Sequence, residues 1–378
     1  MKIETFHYER AQGWSSTSLP PLDSNETVVL VFGASSFLDA SEPIRELCEA
    51  YPNSHLIGCS TSGEIRGSTV ADDTLSVAAM QFSNTVVRSA SAPISSAEHS
   101  FGAGAQLARE LEAADLYGVF VLSDGLQVNG SELVRGLNSV LRENVVVTGG
   151  LAGDGARFER TWVLSGGALQ TGVVTAVGFY GDRIRIGHGS QGGWLIFGPE
   201  RTVTRSKGNV LYELDGKPAL QLYKQYLGEK ASELPASALL FPLSLRPDPT
   251  QEKTIVRTIL SIDEETQSMT FAGDVPQGAR ARLMQANLDR LIEGAEEAAH
   301  AVEAEAHGEP TLSIAISCVG RRLVLGERTD EELEAVLNEL AGTTHQVGFY
   351  SYGEIAPFDK GHCDLHNQTM TVTTIRED

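Results

Sequence analysis

HLIGCSTSGEI (residues 55–65) and HQVGFYSYGEI (345–355) fit one pattern, H-x-[IV]-G-x-x-x-x-G-E-I, with His55 over His345, Gly58 over Gly348 and Glu64 over Glu354. Upstream of each lies a short β-branched apolar run, VVLVFG (28–33) or LSIAIS (312–317), and then an amphipathic stretch with helical spacing. That order reads β–α–β. Asp39-x-x-Glu42 and Thr329-x-x-Glu332 both have the form of a capping box at the start of the helix. A weaker copy sits between the two. GVFVLSDG (118–125) reads as a strand, Asn129-x-x-Glu132 opens a helix ending near Arg142, and NVVVTGGLAGDG (144–155) is a strand running into a Gly-carboxylate turn. Here Gly149, Gly153 and Asp154 echo Gly58, Gly63 and Glu64, one residue shorter. Each copy is followed by extended sequence: TLSVAAMQF, TWVLSG with VVTAVGFYG, and TMTVTTI. The fold class is α/β, with repeated β-α-β units forming mixed sheets flanked by helices, in two domains. Crossovers join parallel strands and leave their loops at the strand carboxyl ends, so the three turns are placed to line a crevice.

The 378 residues carry 29 Lys plus Arg against 50 Asp plus Glu, a net charge of −21. Such a chain repels phosphate backbones unless its basic residues segregate, and no basic patch is visible, so nucleic acid is excluded as a partner. Hydrophobic residues at 41% and charged residues at 21% fit a globular protein rather than a disordered one. The opening MKIETFHYERAQGW lacks an apolar signal region, and no apolar run nears the ~20 residues that span a bilayer, so the expectation is a cytoplasmic protein without membrane insertion. Cys48, Cys59, Cys318 and Cys363 are far apart with no CxxC, which points to reduced thiols rather than a disulfide framework.

Between the second and third copies the composition changes. ERTVTRSKGNVLYELDGKPALQLYKQYLG reads as a hairpin followed by a helix from Pro218 to about Leu227, with a domain boundary near 210–220. Residues 255–275 read as a hairpin turning around Asp263 to Thr266. A long amphipathic helix is expected over 279–306, with Met284, Leu288, Leu291, Ala295, Ala298 and Val302 on its apolar side.

Several motifs have a plainer reading beside the chemical one. GHGSQG (187–192) matches G-x-G-x-x-G, yet the extended run WLIFG follows where a phosphate cradle needs a helix N-terminus, so it reads as a Gly-rich turn beside His188 and Trp194. GCSTS (58–62) falls one residue short of a nucleophile elbow, and Tyr350 stands where Ser60 stands in the other copy. Cys59 reads as an inert core thiol. Glu64 and Glu354, in equivalent turns, could hold a cationic group, act as acid and base, or cap backbone N–H groups. The tail GHCDLHNQTM (361–370) gathers His362, Cys363, His366, Asn367 and Gln368, too few donors alone for a tetrahedral zinc site.

The paired GEI turns, IGCSTSGEI, VTGGLAGDG, GNVLYELDGKPALQLYKQYLG and the ending GFYSYGEIAP with CDLHNQTM make the chain resemble FIST-domain proteins over nearly its whole length. The resemblance implies a FIST N-like domain over 25–215 and a FIST C-like domain over 216–378, behind an N-terminal extension, 1–24. This extension is short and Pro/Ser-rich where family members often begin with a helix. It implies a sensory module of bacterial signal transduction that binds a small molecule such as an amino acid. Some stand-alone members of similar layout are haem proteins that sense nitric oxide and regulate a histidine kinase or cyclic-di-GMP enzymes, so the resemblance makes haem the candidate cofactor and a separate kinase or similar output protein the expected partner. The candidate ligand-binding residues are Gly58, Ser60, Gly63 and Glu64 in the first turn, Gly149, Gly150, Gly153 and Asp154 in the second, Tyr350, Tyr352, Gly353 and Glu354 in the third, and Asn367 in the tail. His188 and His366 are the candidate haem ligands. No nucleophile–base–orienter set emerges, and a binding protein is expected rather than an enzyme; the rival is a metabolite-processing enzyme with Glu64 or Glu354 as general base.

Overall fold

A computed structural model describes residues 1–234, 236–247, 254–302, 310–340, 342–358 and 361–378. The β-branched runs form the first strand of each unit: Thr27–Ala34, Leu116–Ser123 and Thr311–Cys318. Each pairs in parallel with a second strand, His55–Thr61, Val146–Leu151 or Thr344–Ser351, across a helical crossover. The crossover helices are Glu42–Ala50, Gly130–Asn138, and Val319–Leu325 with Thr329–Glu339. On its other side each first strand pairs antiparallel with a third, Thr74–Gln81, Val173–Tyr180 or Met370–Glu377. The second copy, weak in sequence, is therefore as complete in space as the other two.

The units close into a ring by exchanging strands. The strand that follows each turn leaves its own sheet: Glu64–Arg66 pairs with the third unit's Thr344–Ser351, Gly353–Pro357 with the second unit's Val146–Leu151, and Val163–Ser165 with the first unit's His55–Thr61. The opposite edges stay within their own units, the leading strand Val86–Pro93 lying on Val173–Tyr180 and Ile184–Gln191 on Met370–Glu377. Lys2–Glu9 completes the pattern on Thr74–Gln81. Residues 1–24, read from the sequence as an extension, thus carry a full sheet strand, and SSTSLPPLDSNE stands where the other two units carry a connecting helix, Ser100–Leu111 or Leu288–His300.

Alternate residues of the three first strands share one core: Leu30 and Phe32, Phe120 and Leu122, Ile314 and Ile316, with Phe32 stacked on Phe349 at 4.8 Å between centroids. Val31, Val121 and Ala315 face outward into separate clusters under the helices. Burial on both faces explains why these strands read as continuous apolar runs rather than alternating ones. Gly58, Gly149 and Gly348 lie beside Val31, Val121 and Ala315, where an added Cβ would stand 2.2, 1.9 and 1.8 Å from the neighbouring carbonyl oxygen. The repeat's first glycine is a packing requirement of the parallel pair.

A fourth, antiparallel sheet spans Leu195–Gln285 and is inserted between Ile184–Gln191 and the helix Leu288–His300. The boundary placed at 215/216 falls inside it, at the turn between Val210–Leu214 and Lys217–Pro218. Its helix, Ala219–Leu227, follows Pro218 as expected. The helix expected over 279–306 is corrected. Arg280–Gln285 is a strand paired on both sides, with Ala281 and Leu283 inward, and the helix begins after Asn287, whose Oδ1 accepts from Arg290 N at 3.0 Å. Residues 303–306 of that expected helix lie outside the described residues. The 255–275 hairpin holds for Ile259–Asp263 and Ser268–Phe271, while Ile255–Arg257 pairs instead with Leu243–Arg246. Among the described residues no helix is long and apolar enough to cross a membrane.

Candidate functional site

The three turns interlock at the strand carboxyl ends. Ser62 N donates to Tyr350 O at 2.7 Å and Tyr350 N to Gly63 O at 2.9 Å, joining the first and third. Gly153 N donates to Ser60 O at 2.9 Å and Tyr352 N to Leu151 O at 3.2 Å, bringing in the second.

Beneath this hub sit the two glutamates. Glu64 accepts from Thr61 Oγ1 and, on its other oxygen, from Thr74 N at 3.0 Å and Thr74 Oγ1 at 2.8 Å. Glu354 accepts from Ser351 Oγ at 2.6 Å, Thr369 Oγ1 at 2.9 Å and Thr369 N at 3.3 Å. Both are fully buried, and burial pushes Glu64 up to about 7 and Glu354 up to about 8, against the pull of those donors. The strand register places Ala152, Val163 and Val173 of the second unit where the others have hydroxyl, carboxylate and threonine. Loss of the carboxylate is matched by loss of its donors, as expected if each triad clasps the turn to the start of the third strand.

Asp154 therefore does not occupy the position of Glu64, a correction to the alignment from sequence. It opens an excursion, residues 154–160, that the other units lack. Burial opposes its ionisation, but N–H groups of Arg160 and Glu159 at 3.0 Å and Phe158 at 2.9 Å, with the Tyr352 hydroxyl, hold it below the usual carboxylate range. The excursion's Phe158 stacks on Tyr352 at 4.4 Å between centroids.

Above the hub opens a cleft of about 370 Å³ lined by all three units: Ser62 and Val70 from the first, Gly155 and Ala156 from the second, and Val319, Arg322, Leu323, Gly326, Glu327, Thr329 and Asp330 from the third. Among the described residues, Arg322 is its one guanidinium. It donates to Ser62 O at 2.5 Å, grips Asp72 through both Nη atoms at 2.8 and 2.7 Å, and lies over the Tyr350 ring, 5.6 Å from the centroid. Gly63 makes room for it: at φ +134° a Cβ there would stand 2.5 Å from Arg322 Nη1. The Asp72 carboxylate, exposed and fork-paired, is held below its usual range by that contact.

The ligand residues expected from sequence form the layer under the cleft rather than its walls. Ser60 Oγ accepts from Trp162 N at 3.0 Å, Gly153 packs against Ser62 Oγ, and Gly150 and Gly353 are buried in the exchanged strand pair. Asn367 is buried apart from the cleft, and neither its amide nor that of Gln368 has a hydrogen-bond partner among the described residues. His366 Nε2 contacts Ala356 O at 3.1 Å within a strand pair, and His188 sits on the strand Ile184–Gln191 opposite Thr373. Neither imidazole lines the cleft or the narrow apolar cavity between Phe197, Tyr223 and Leu283. Among the described residues no three His, Cys, Asp or Glu side chains gather as a metal site. Arg322, Glu327 and Asp330 escaped the sequence reading, although an Arg-Arg pair directly after a first strand stands where α/β folds bind ligands.

Two capping boxes also resolve differently. Asp39 pairs with Arg160, and the buried Glu332 turns inward to Arg321 instead of back to Thr329, whereas Asn129 does accept from Glu132 N at 3.2 Å.

A ring of α/β units with a polar, ligand-sized cleft where three strand-end turns meet has the build of a small-ligand-binding module. Residues 27–217 match the FIST N domain and residues 219–357 the FIST C domain, and the chain belongs to the FIST family, whose domains are small-ligand sensors of signal transduction. No curated protein matches the sequence. Among solved structures, a cyanuric acid hydrolase from A. caulinodans is similar at 10% identity and a TM-score of 0.38, over 93% of this chain and 89% of that one.

Proposed function

We propose that this chain is a sensor that binds a small zwitterionic metabolite, such as an amino acid, in the cleft above the three turns, without turnover, and acts on a separate output protein such as a histidine kinase or a cyclic-di-GMP enzyme. One observation carries the reading: Arg322, Glu327 and Asp330 line the same cleft to which all three units contribute. A guanidinium fork suits a carboxylate, and the two acids suit an ammonium group. The general-base alternative is weakened because Glu64 and Glu354 line no part of this cleft and already accept several hydrogen bonds each.

A thermal-shift screen of the full chain with amino acids and related metabolites tests this. A ligand at a hundredfold excess over its Kd stabilises by ~2.7 kcal/mol, and this gain should vanish in Arg322→Ala and weaken in Glu327→Gln. A gain that survives both substitutions, or the absence of any stabilising metabolite, refutes the assignment.

A further inference from the structure

The cleft wall and the junction with the inserted sheet are two faces of one short helix, Val319–Leu325. Val319, Arg322 and Leu323 line the cleft. On the other face Leu325 packs with Trp194, Met284 and Leu291, where the chain enters and leaves the inserted sheet. Arg321, fully buried, ties this face down: Nη1 donates to Gly192 O at 2.5 Å, Nη2 to Leu291 O at 2.7 Å and to Glu332 at 2.8 Å. Tyr350 links the two arginines, its ring under Arg322 and its hydroxyl donating to Glu332 at 2.7 Å.

We propose that the helix Val319–Leu325 transmits occupancy of the cleft to the inserted sheet, Arg322 reading the ligand and Arg321 moving the junction at Gly192 and Leu291. This deepens the sensor reading and rests on the cleft being its site. A ligand carboxylate competes with Asp72 for the Arg322 fork. Because Asp72 is exposed, it can give up that fork to water, so the exchange is open to a ligand. The second requirement is an element with two positions, since a ligand shifts only an equilibrium that exists. The packing around the helix favours one. Gly320 lies against Gln368, a buried residue at φ +61° whose amide has no partner among the described residues, and the amide of Asn367 beside it is equally unpartnered. Burying both amides unpaired is costly, so a shift of the helix that pairs them is the second position this proposal requires.

Hydrogen exchange on the full chain tests the coupling without a ligand, by comparing Asp72→Ala with the natural sequence. Asp72 is exposed, so the variant keeps the fold while freeing Arg322. Exchange over 189–195 and 286–292 should quicken about tenfold, within the range of ordinary couplings, with 27–34 unchanged. In an Arg321→Lys background, where one ammonium cannot hold both carbonyls, Asp72→Ala should add nothing there. Changes confined to 70–73 and 319–323 overturn the proposal. If no amino acid binds yet 189–195 still loosens, the ligand reading fails and the coupling stands. If an amino acid binds and 189–195 stays unchanged, the coupling fails and the ligand reading stands.

Discussion

Glu64 and Glu354 are each held by a hydroxyl three residues earlier and by a threonine at the start of the third strand, so they are clasps first. A buried carboxylate whose folded pKa is raised binds its proton more tightly folded than unfolded, so its stabilising effect is full below about 4.3 and fades as pH rises through about 7 for Glu64 and about 8 for Glu354. For Glu64 the loss is on the order of 3 kcal/mol. Carboxylates such as Asp154 and Glu377 have lowered values and titrate in acid, outside this window. Melting temperature should therefore fall between pH 5 and pH 8.5, and Glu64→Gln, which mimics the protonated acid, should flatten the fall and match or exceed the parent at pH 8.5. An unchanged slope with lower stability throughout would show that the carboxylate is needed ionised. The pairing of the two glutamates was legible in the repeated GEI. Val163, which replaces one in the second unit, was not, because the excursion 154–160 shifts the spacing and offers Asp154 as a decoy.

At the scale of elements, the β–α–β order could be read because burial on both faces leaves uninterrupted β-branched runs. The false helix over 279–306 shows how periodicity misleads: Met284, Leu288 and Leu291 keep helical spacing across a strand–helix junction, and Met284 and Leu291 even share a cluster. Asn287 followed by Leu288 and Asp289 was the overlooked start signal. Val319–Leu325 was hidden for another reason. Its seven residues bury Arg321 completely, and the pairing of that arginine with Glu332 and with the Gly192 and Leu291 carbonyls makes such burial tolerable. The residues of the cleft were missed with it, since glycines and carboxylates drew attention to the turns and away from the helix above them.

For the whole molecule, sequence revealed the units but not their exchange, because which sheet a strand joins after a turn is decided by packing around the shared core. The ring is cyclic. Third strands run into the next leading strand through residues 82–85 and 181–183, and the Met1 amino nitrogen lies 3.5 Å from Glu377 at the corresponding place. Joining residue 378 to residue 2 through a linker of similar length, and reopening the chain at the Gly166–Gly167 turn, should leave a single cooperative melt close to that of the parent; a broad or absent transition would deny the cyclic arrangement. Isothermal titration of the best-stabilising amino acid into the parent and an Ala156→Trp variant shows whether the cleft to which all three units contribute is the ligand site. Ala156 is exposed and lines the cleft, so the indole should fill the site while the melting temperature is kept. The expected result is an affinity at least about tenfold weaker, some 1.4 kcal/mol; equal affinity in the plugged variant would place the ligand elsewhere and contradict the account.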